Sequence, residues 1–261
     1  AHEFDLALAD LDVVLSRQPT NAQAWLTKAS ILQVQGRYED ARRACQPLFR
    51  LAGRHIALTC VSDIAGLTGH AKESRDLLAA SLERPGLAVR ERLWILTVLA
   101  EMAGRAGDIQ AAEKHFSAAR DLGVKDQYLL GVYADFLLDQ GRAQEVVALL
   151  QRETNADGLL LRLTLAEQTL HSPAAKGHTA ELAARFAAGR ARGSSVHVRE
   201  EARFALALLH EPQKALTLAQ DNWKIQKEPW DARLLLESAL AVGNWNVARP
   251  VIDWLNRNHV E

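Results

Sequence analysis

Three groups of residues in this chain have types and spacings that bear on chemistry. His171 and His178 stand seven apart, with His197 further on. Seven residues are two helical turns, so a shared metal ion is conceivable on one helix face. Ser172-Pro173 falls between the first two and interrupts any continuous helix. The histidines therefore read as loop and surface residues, and no metal or cofactor is expected. Cys45 and Cys60 are the two cysteines, too few for a disulfide framework or a four-ligand zinc site. They read first as buried free thiols. A bridge between them depends on geometry and would imply a periplasmic or secreted setting. The third group is a periodic row of acids: Asp63, Glu101, Asp135 and Glu237 each lie six residues before a glycine. Thirteen before the same kind of glycine stand Trp94, Tyr128 and Trp230. Phosphate loops, dinucleotide fingerprints, zinc-protease helices and nucleophile elbows are missing from the sequence.

The elements that position these residues follow from the glycines themselves. Gly36, Gly69, Gly107, Gly141 and Gly243 are separated by 33, 38, 34 and 102 residues, and the last step is three times 34. Before Gly36 come Trp25, Ala29 and Leu32; after it come Tyr38, Ala41, Cys45 and Leu48. Each set marks one face of a helix. The glycine between them supplies a turn. Alanines at Ala29 and Ala41 permit close helix crossing, and larger residues fill the gaps beside them. The same offsets return at Ala100 and Ala112, Ala134 and Val146, and Leu236 and Ala248. A period of this length marks a helical repeat array. The longer 38-residue step predicts a lengthened turn from Pro85, near residues 84–89.

The pattern of Trp25, Ala29, Leu32, Gly36, Tyr38, Ala41 and Leu48 resembles the tetratricopeptide repeat family, in a bacterial form. Phe4, Ala7, Leu11, Leu15 and Pro19 resemble the second helix of a truncated first repeat. The match is good over 4–51, 96–150 and 230–256, and weak over 52–85. The resemblance implies an all-α fold, an α-α superhelix (solenoid) of about six to seven helix-turn-helix units. Residues 1–151 read as an array beginning in a second helix. Residues 152–195 read as a divergent helix pair (159–170 and 174–190), and 196–261 as two C-terminal units, all in one continuous solenoid. His210 takes the turn position of the divergent pair 198–209 and 213–225. The stretch Gly189–Ser195 has the composition of a link.

In this family first helices line a concave face. The resemblance thereby turns the periodic acids and rings into a candidate groove of Gln23, Thr27, Ser30, Asp63, Trp94, Glu101, Tyr128 and Asp135. Carboxylates steer cations and aromatic faces attract them, so the strip would suit a basic peptide. The competing reading makes these ordinary polar positions, with Trp94 and Trp230 packing at helix starts. Family members that bind chaperone tails use Lys, Arg and Asn on inner helices; here the row has the opposite sign.

The expected function is a non-catalytic scaffold or adaptor that binds a protein or peptide. The alternatives are an assembly subunit associating through its ends and an enzyme hidden in 152–228, for which no coherent acid, base or nucleophile set is visible. A formal net charge of −1 argues against nucleic acid. No apolar run reaches the 18 residues of a membrane span. A start at Ala1 reads as a processed or trimmed protein. The Arg-over-Lys and Ala-Leu bias reads as a soluble bacterial-type protein, cytoplasmic or periplasmic.

Overall fold

The computed structural model describes residues 3–193 and 198–260. Every named element is a helix: α1 Phe4–Arg17, α2 Ala22–Val34, α3 Tyr38–Cys45, α4 Leu48–Leu51, α5 Arg54–Leu67, α6 Ala71–Leu82, α7 Val89–Arg105, α8 Ile109–Arg120, α9 Gln127–Asp139, α10 Ala143–Leu150, α11 Asp157–Thr169, α12 Ala174–Ala191, α13 Val198–Ala207, α14 Pro212–Trp223, α15 Pro229–Ala241 and α16 Trp245–Arg257. Among the described residues the extended pairing is confined to one isolated bridge, Thr68 with Val260.

The hairpins form for local reasons. At the start of α2, Asn21 accepts a hydrogen bond from the Ala24 N–H at 3.0 Å, a side-chain cap for an otherwise unpaired donor. At its end Gly36 takes φ 71°. The Gly36 N–H then donates to Gln33 O and the Arg37 N–H to Leu32 O, both at 2.8 Å. This pair of bonds is the left-handed closure that satisfies the last carbonyls of a helix. The closure recurs with histidine in place of glycine. His171 and His210 have φ 54° and 56°, and the Ser172 N–H donates to Glu167 O at 2.8 Å. Residues 83–88 lie between α6 and α7, at the place the long step predicts. α12 runs to Ala191, so Gly189 is helical; Ser194 and Ser195 of the proposed link lie outside the described residues, as does His197.

The chain packs as two compact units. One, here the N-terminal unit, holds Glu3–Val124 with Ile225–Pro229 and residues 250–260. The other, the C-terminal unit, holds Lys125–Lys224 and Trp230–Arg249. Along the chain the division falls after Val124, and residues 225–229 and 250–260 return to the N-terminal unit.

In the N-terminal unit, Ala29, Ala41 and Cys45 are buried with Leu32, Leu48, Ala57, Cys60 and Ile64. Ala41 is fully covered, so its small side chain is what lets the neighbouring backbones approach. Cys45 and Cys60 are joined by a disulfide, with their Cα atoms 5.9 Å apart. This corrects the reading of two free thiols. α3 and α5 pack side by side, and that packing brings cysteines from adjacent hairpins into bonding range.

In the C-terminal unit the second-helix positions Val146 and Leu150 are fully buried. Phe186 and Phe204 meet with ring centroids 5.3 Å apart. In the part of α16 that belongs to the N-terminal unit, Ile252, at the offset occupied by Cys45 and Leu150 elsewhere, is 43% exposed, and Val251 is buried instead.

Candidate functional site

The candidate groove residues divide between the two units. In the N-terminal unit, Gln23, Thr27 and Ser30 lie on α2. Gln23 and Ser30 are exposed. The Gln23 amide donates to the Thr27 hydroxyl at 3.3 Å, and Ser30 Oγ donates back to Leu26 O at 3.1 Å. These side chains form a polar strip on one helical face.

Asp63, on α5, is placed differently. Its carboxylate accepts from Gln33 Nε2 at 2.9 Å, so it ties α2 to α5. Burial pushes its pKa above the ordinary value of 3.8, opposed by the Gln33 hydrogen bond and by Arg105. Desolvation wins because neither partner is a contacting cation. Trp94 packs into the core beside Ile56, Leu58 and Ile95, as the helix-start reading has it. Glu101 is half-buried on α7.

In the C-terminal unit, Asp135 is only 2% exposed. It accepts from Arg162 Nη2 at 2.5 Å and from Arg203 Nη1 at 2.6 Å. Burial alone would raise its pKa, yet Arg203 and Arg162 together hold it below the ordinary carboxylate range. Both arginines come from first helices, α11 and α13. Its carboxylate is therefore committed within the chain and is not an open contact for a basic peptide. The Arg162 guanidinium packs beside Gly131 and Gly158, its atoms 3.4–3.8 Å from where their Cβ atoms would stand.

The aromatic row also divides. Trp230 is covered on its ring by two guanidiniums, Arg203 at 4.6 Å and Arg233 at 4.4 Å from the centroid. Arg233 also donates to Asp139 at 2.7 Å and to Glu237 at 2.8 Å; these bonds, Asp139 first, lift its pKa. Glu237, another member of the periodic acids, is thus paired on its own helix. Tyr128 is 60% exposed. Of the three periodic rings, it is the one whose surface lies largely open.

The sequence reading missed the arginines. Arg162, Arg199, Arg203 and Arg233 all occupy first helices, and Arg199 pairs with the buried Asp231 at 2.6 Å. Arg162, Arg203 and Arg233 lie near the middle of consecutive first helices, and Arg199 at the start of one. Among the described residues, no group of three or more His, Cys, Asp or Glu side chains is arranged to hold a metal ion. No described helix is long and apolar enough to cross a membrane.

These stacked hairpins, with small residues at the crossings and a left-handed residue at each turn, define a helical-repeat protein of the tetratricopeptide type of fold. Among the solved structures that share that fold are these two. A tetratricopeptide repeat protein from Parabacteroides merdae ATCC 43184 superposes with a TM-score of 0.51 at 13% identity, over 90% of this chain and 92% of that one. A chain of the APC/C hetero-tetramer Cut9-Hcn1 superposes with a TM-score of 0.50 at 16% identity, over 91% of this chain. This chain spans only 46% of the latter. No protein-family model and no curated protein matches the sequence.

Proposed function

We propose that the protein is a non-catalytic scaffold whose first-helix faces bind another protein. The observation that supports this most is the 60% exposure of Tyr128 on the first helix of its hairpin. An open ring on a rigid helix is the kind of anchor that protein interfaces use. On α2 of the N-terminal unit, Gln23, Thr27 and Ser30 offer hydrogen-bonding side chains for a second contact. The partner is not selected by a row of free carboxylates, because Asp135 is neutralised by Arg162 and Arg203. Recognition then depends on the ring and on polar contacts more than on opposite charge. Tyr128→Ala is expected to weaken partner capture at least tenfold, with unchanged helicity by circular dichroism. Unaltered capture by that variant, at both low and high salt, overturns this reading.

A second reading, an assembly subunit, draws on exposed apolar side chains. Leu6 and Val13, seven apart on α1, are 64% and 51% exposed, and Trp245 is 66% exposed. Patches of this kind favour association. Sedimentation velocity across a hundredfold concentration range separates the two readings. The Cys45–Cys60 bond supports work in an oxidising compartment, where such bonds persist.

A further inference from the structure

Residues 225–229 and 250–260 belong to the N-terminal unit, far in sequence from the hairpins they cover. The Lys227 N–H donates to Val34 O at 2.7 Å. Val34 is the last residue of α2, where carbonyls lack helical partners. The Tyr38 hydroxyl donates to Lys227 O at 3.3 Å. Trp254 stands beside Tyr38 with ring centroids 5.8 Å apart. A Cβ on Gly36 would lie 2.5 Å from Trp254 Cζ2. Gly36 therefore does two things: it turns the chain, and it vacates the notch that the indole fills. Val260 bridges to Thr68, and a cleft lined by Thr68, His70, Asn256 and His259 stays open beside that bridge.

The way this segment is attached is as informative as where it rests. α16 is divided between the units at Arg249 and Pro250, and Pro250 lies inside the helix. Proline there removes a backbone donor and crowds the preceding turn, which makes it a natural bending point. The other covering segment also ends on a proline, Pro229. Beyond Pro250 the grip is narrow. Val251 is buried and Trp254 and Val260 reach the core edge, whereas Ile252, Asp253, Asn256, Arg257 and His259 are exposed. His259 adopts φ 52°, a left-handed conformation that side chains resist.

We propose that residues 250–260 are a releasable latch. Hinged at Pro250, they fill, through Trp254, a docking edge made by Val34, Gly36, Tyr38 and Thr68. When the latch leaves, that edge accepts a short helix bearing an aromatic side chain. The surface differs from the first-helix faces above, so the proposal stands or falls independently of them.

Hydrogen exchange on the full chain tests it. Amides of 250–260 are expected to exchange roughly 100-fold faster than those of α5 and α7, as a sub-global opening requires. Pro250→Ala should slow that opening. Trp254→Ala should speed exchange at 225–229 and 36–38 with α5 and α7 unchanged, an effect that simple fraying of a helix end cannot produce. A labelled peptide of residues 245–260 should bind the Trp254→Ala chain about tenfold more tightly than the wild type, whose edge is already occupied. Exchange of 250–260 only at the rate of α5 and α7 overturns the proposal. So does a folded Trp254→Ala chain that leaves 225–229 protected or binds no peptide. Should that variant fail to fold, the wild-type and Pro250→Ala exchange rates decide alone.

Discussion

The two units tie neighbouring hairpins together by different chemistry. In the N-terminal unit a disulfide joins α3 to α5, inside an apolar cluster that includes Leu32, Leu48 and Ile64. Its periodic acid, Asp63, meets a neutral amide and has a raised pKa. In the C-terminal unit the ties are ionic. Asp135 joins α9 to α11 and α13 through Arg162 and Arg203. Asp231 joins α15 to α13 through Arg199 and also accepts from Asn222 at 2.7 Å. Within one hairpin, Glu167 also hydrogen-bonds His178 at 2.7 Å. One repeat position, six before the turn, thus holds a carboxylate that is strained by burial in one unit and stabilised by two cations in the other. The offset in the repeat places the acid, and its neighbours decide what the acid does.

The largest break in this comparison is Asp135→Ala. It leaves Arg162 and Arg203 partly buried without their anion, and loss of one partner from such a cluster costs about 3–5 kcal/mol. Urea denaturation should show the loss, with exchange rising in α9, α11 and α13. The pH dependence carries the same sign. Asp135 has a folded-state pKa below 3.8, so its stabilisation is complete above the unfolded value and is lost as pH falls through the folded one. Wild-type stability should therefore fall on acidification below pH 4, and the variant should lack that component.

Reduction of the Cys45–Cys60 bond is next. Its separation of 15 residues corresponds to about 3 kcal/mol in the chain-entropy account of disulfides. Dithiothreitol should lower the urea midpoint and raise exchange in α3 and α5. A midpoint that dithiothreitol leaves unchanged, once thiol labelling has verified reduction, would deny the bond its role as a tie.

Asp63→Asn sharpens the contrast from the opposite side. The amide oxygen keeps the Gln33 hydrogen bond and no charge is desolvated. Because the folded pKa of Asp63 is raised, its ionisation costs stability as pH climbs above 3.8. The variant should be more stable at pH 7, by no more than about 1 kcal/mol, and the advantage should vanish at pH 3. The smallest effect concerns the turns. His210→Gly relieves a left-handed side chain at the expense of chain entropy, for a net gain of about 0.5 kcal/mol, read as a small rise in melting temperature.

Much of the fold was legible because its signals are local. Trp25, Ala29 and Leu32 mark a helix face by spacing alone, and Gly36 marks the turn because few other residues reach φ 71°. His210 was readable as a turn because it fell where the period required one. The burial of Val251 in place of Ile252 was not, since it depends on what packs against α16. The candidate site was legible only in part. The offsets picked out Tyr128, Gln23 and Ser30, which are exposed, but exposure alone does not make them a site. Asp135 looked the same as Asp63 on the page, for its partners Arg162 and Arg203 lie 27 and 68 residues downstream.

By itself the sequence determined the stacked α-hairpins, their turns and the small residues at their crossings, because helix periodicity and backbone preference act within a few residues. Tertiary structure alone decided that Cys45 bonds Cys60, that Asp135 is neutralised, and that Trp254 returns to the notch at Gly36. Each of those depends on distances between residues remote along the chain, and such distances exist only once the chain has packed.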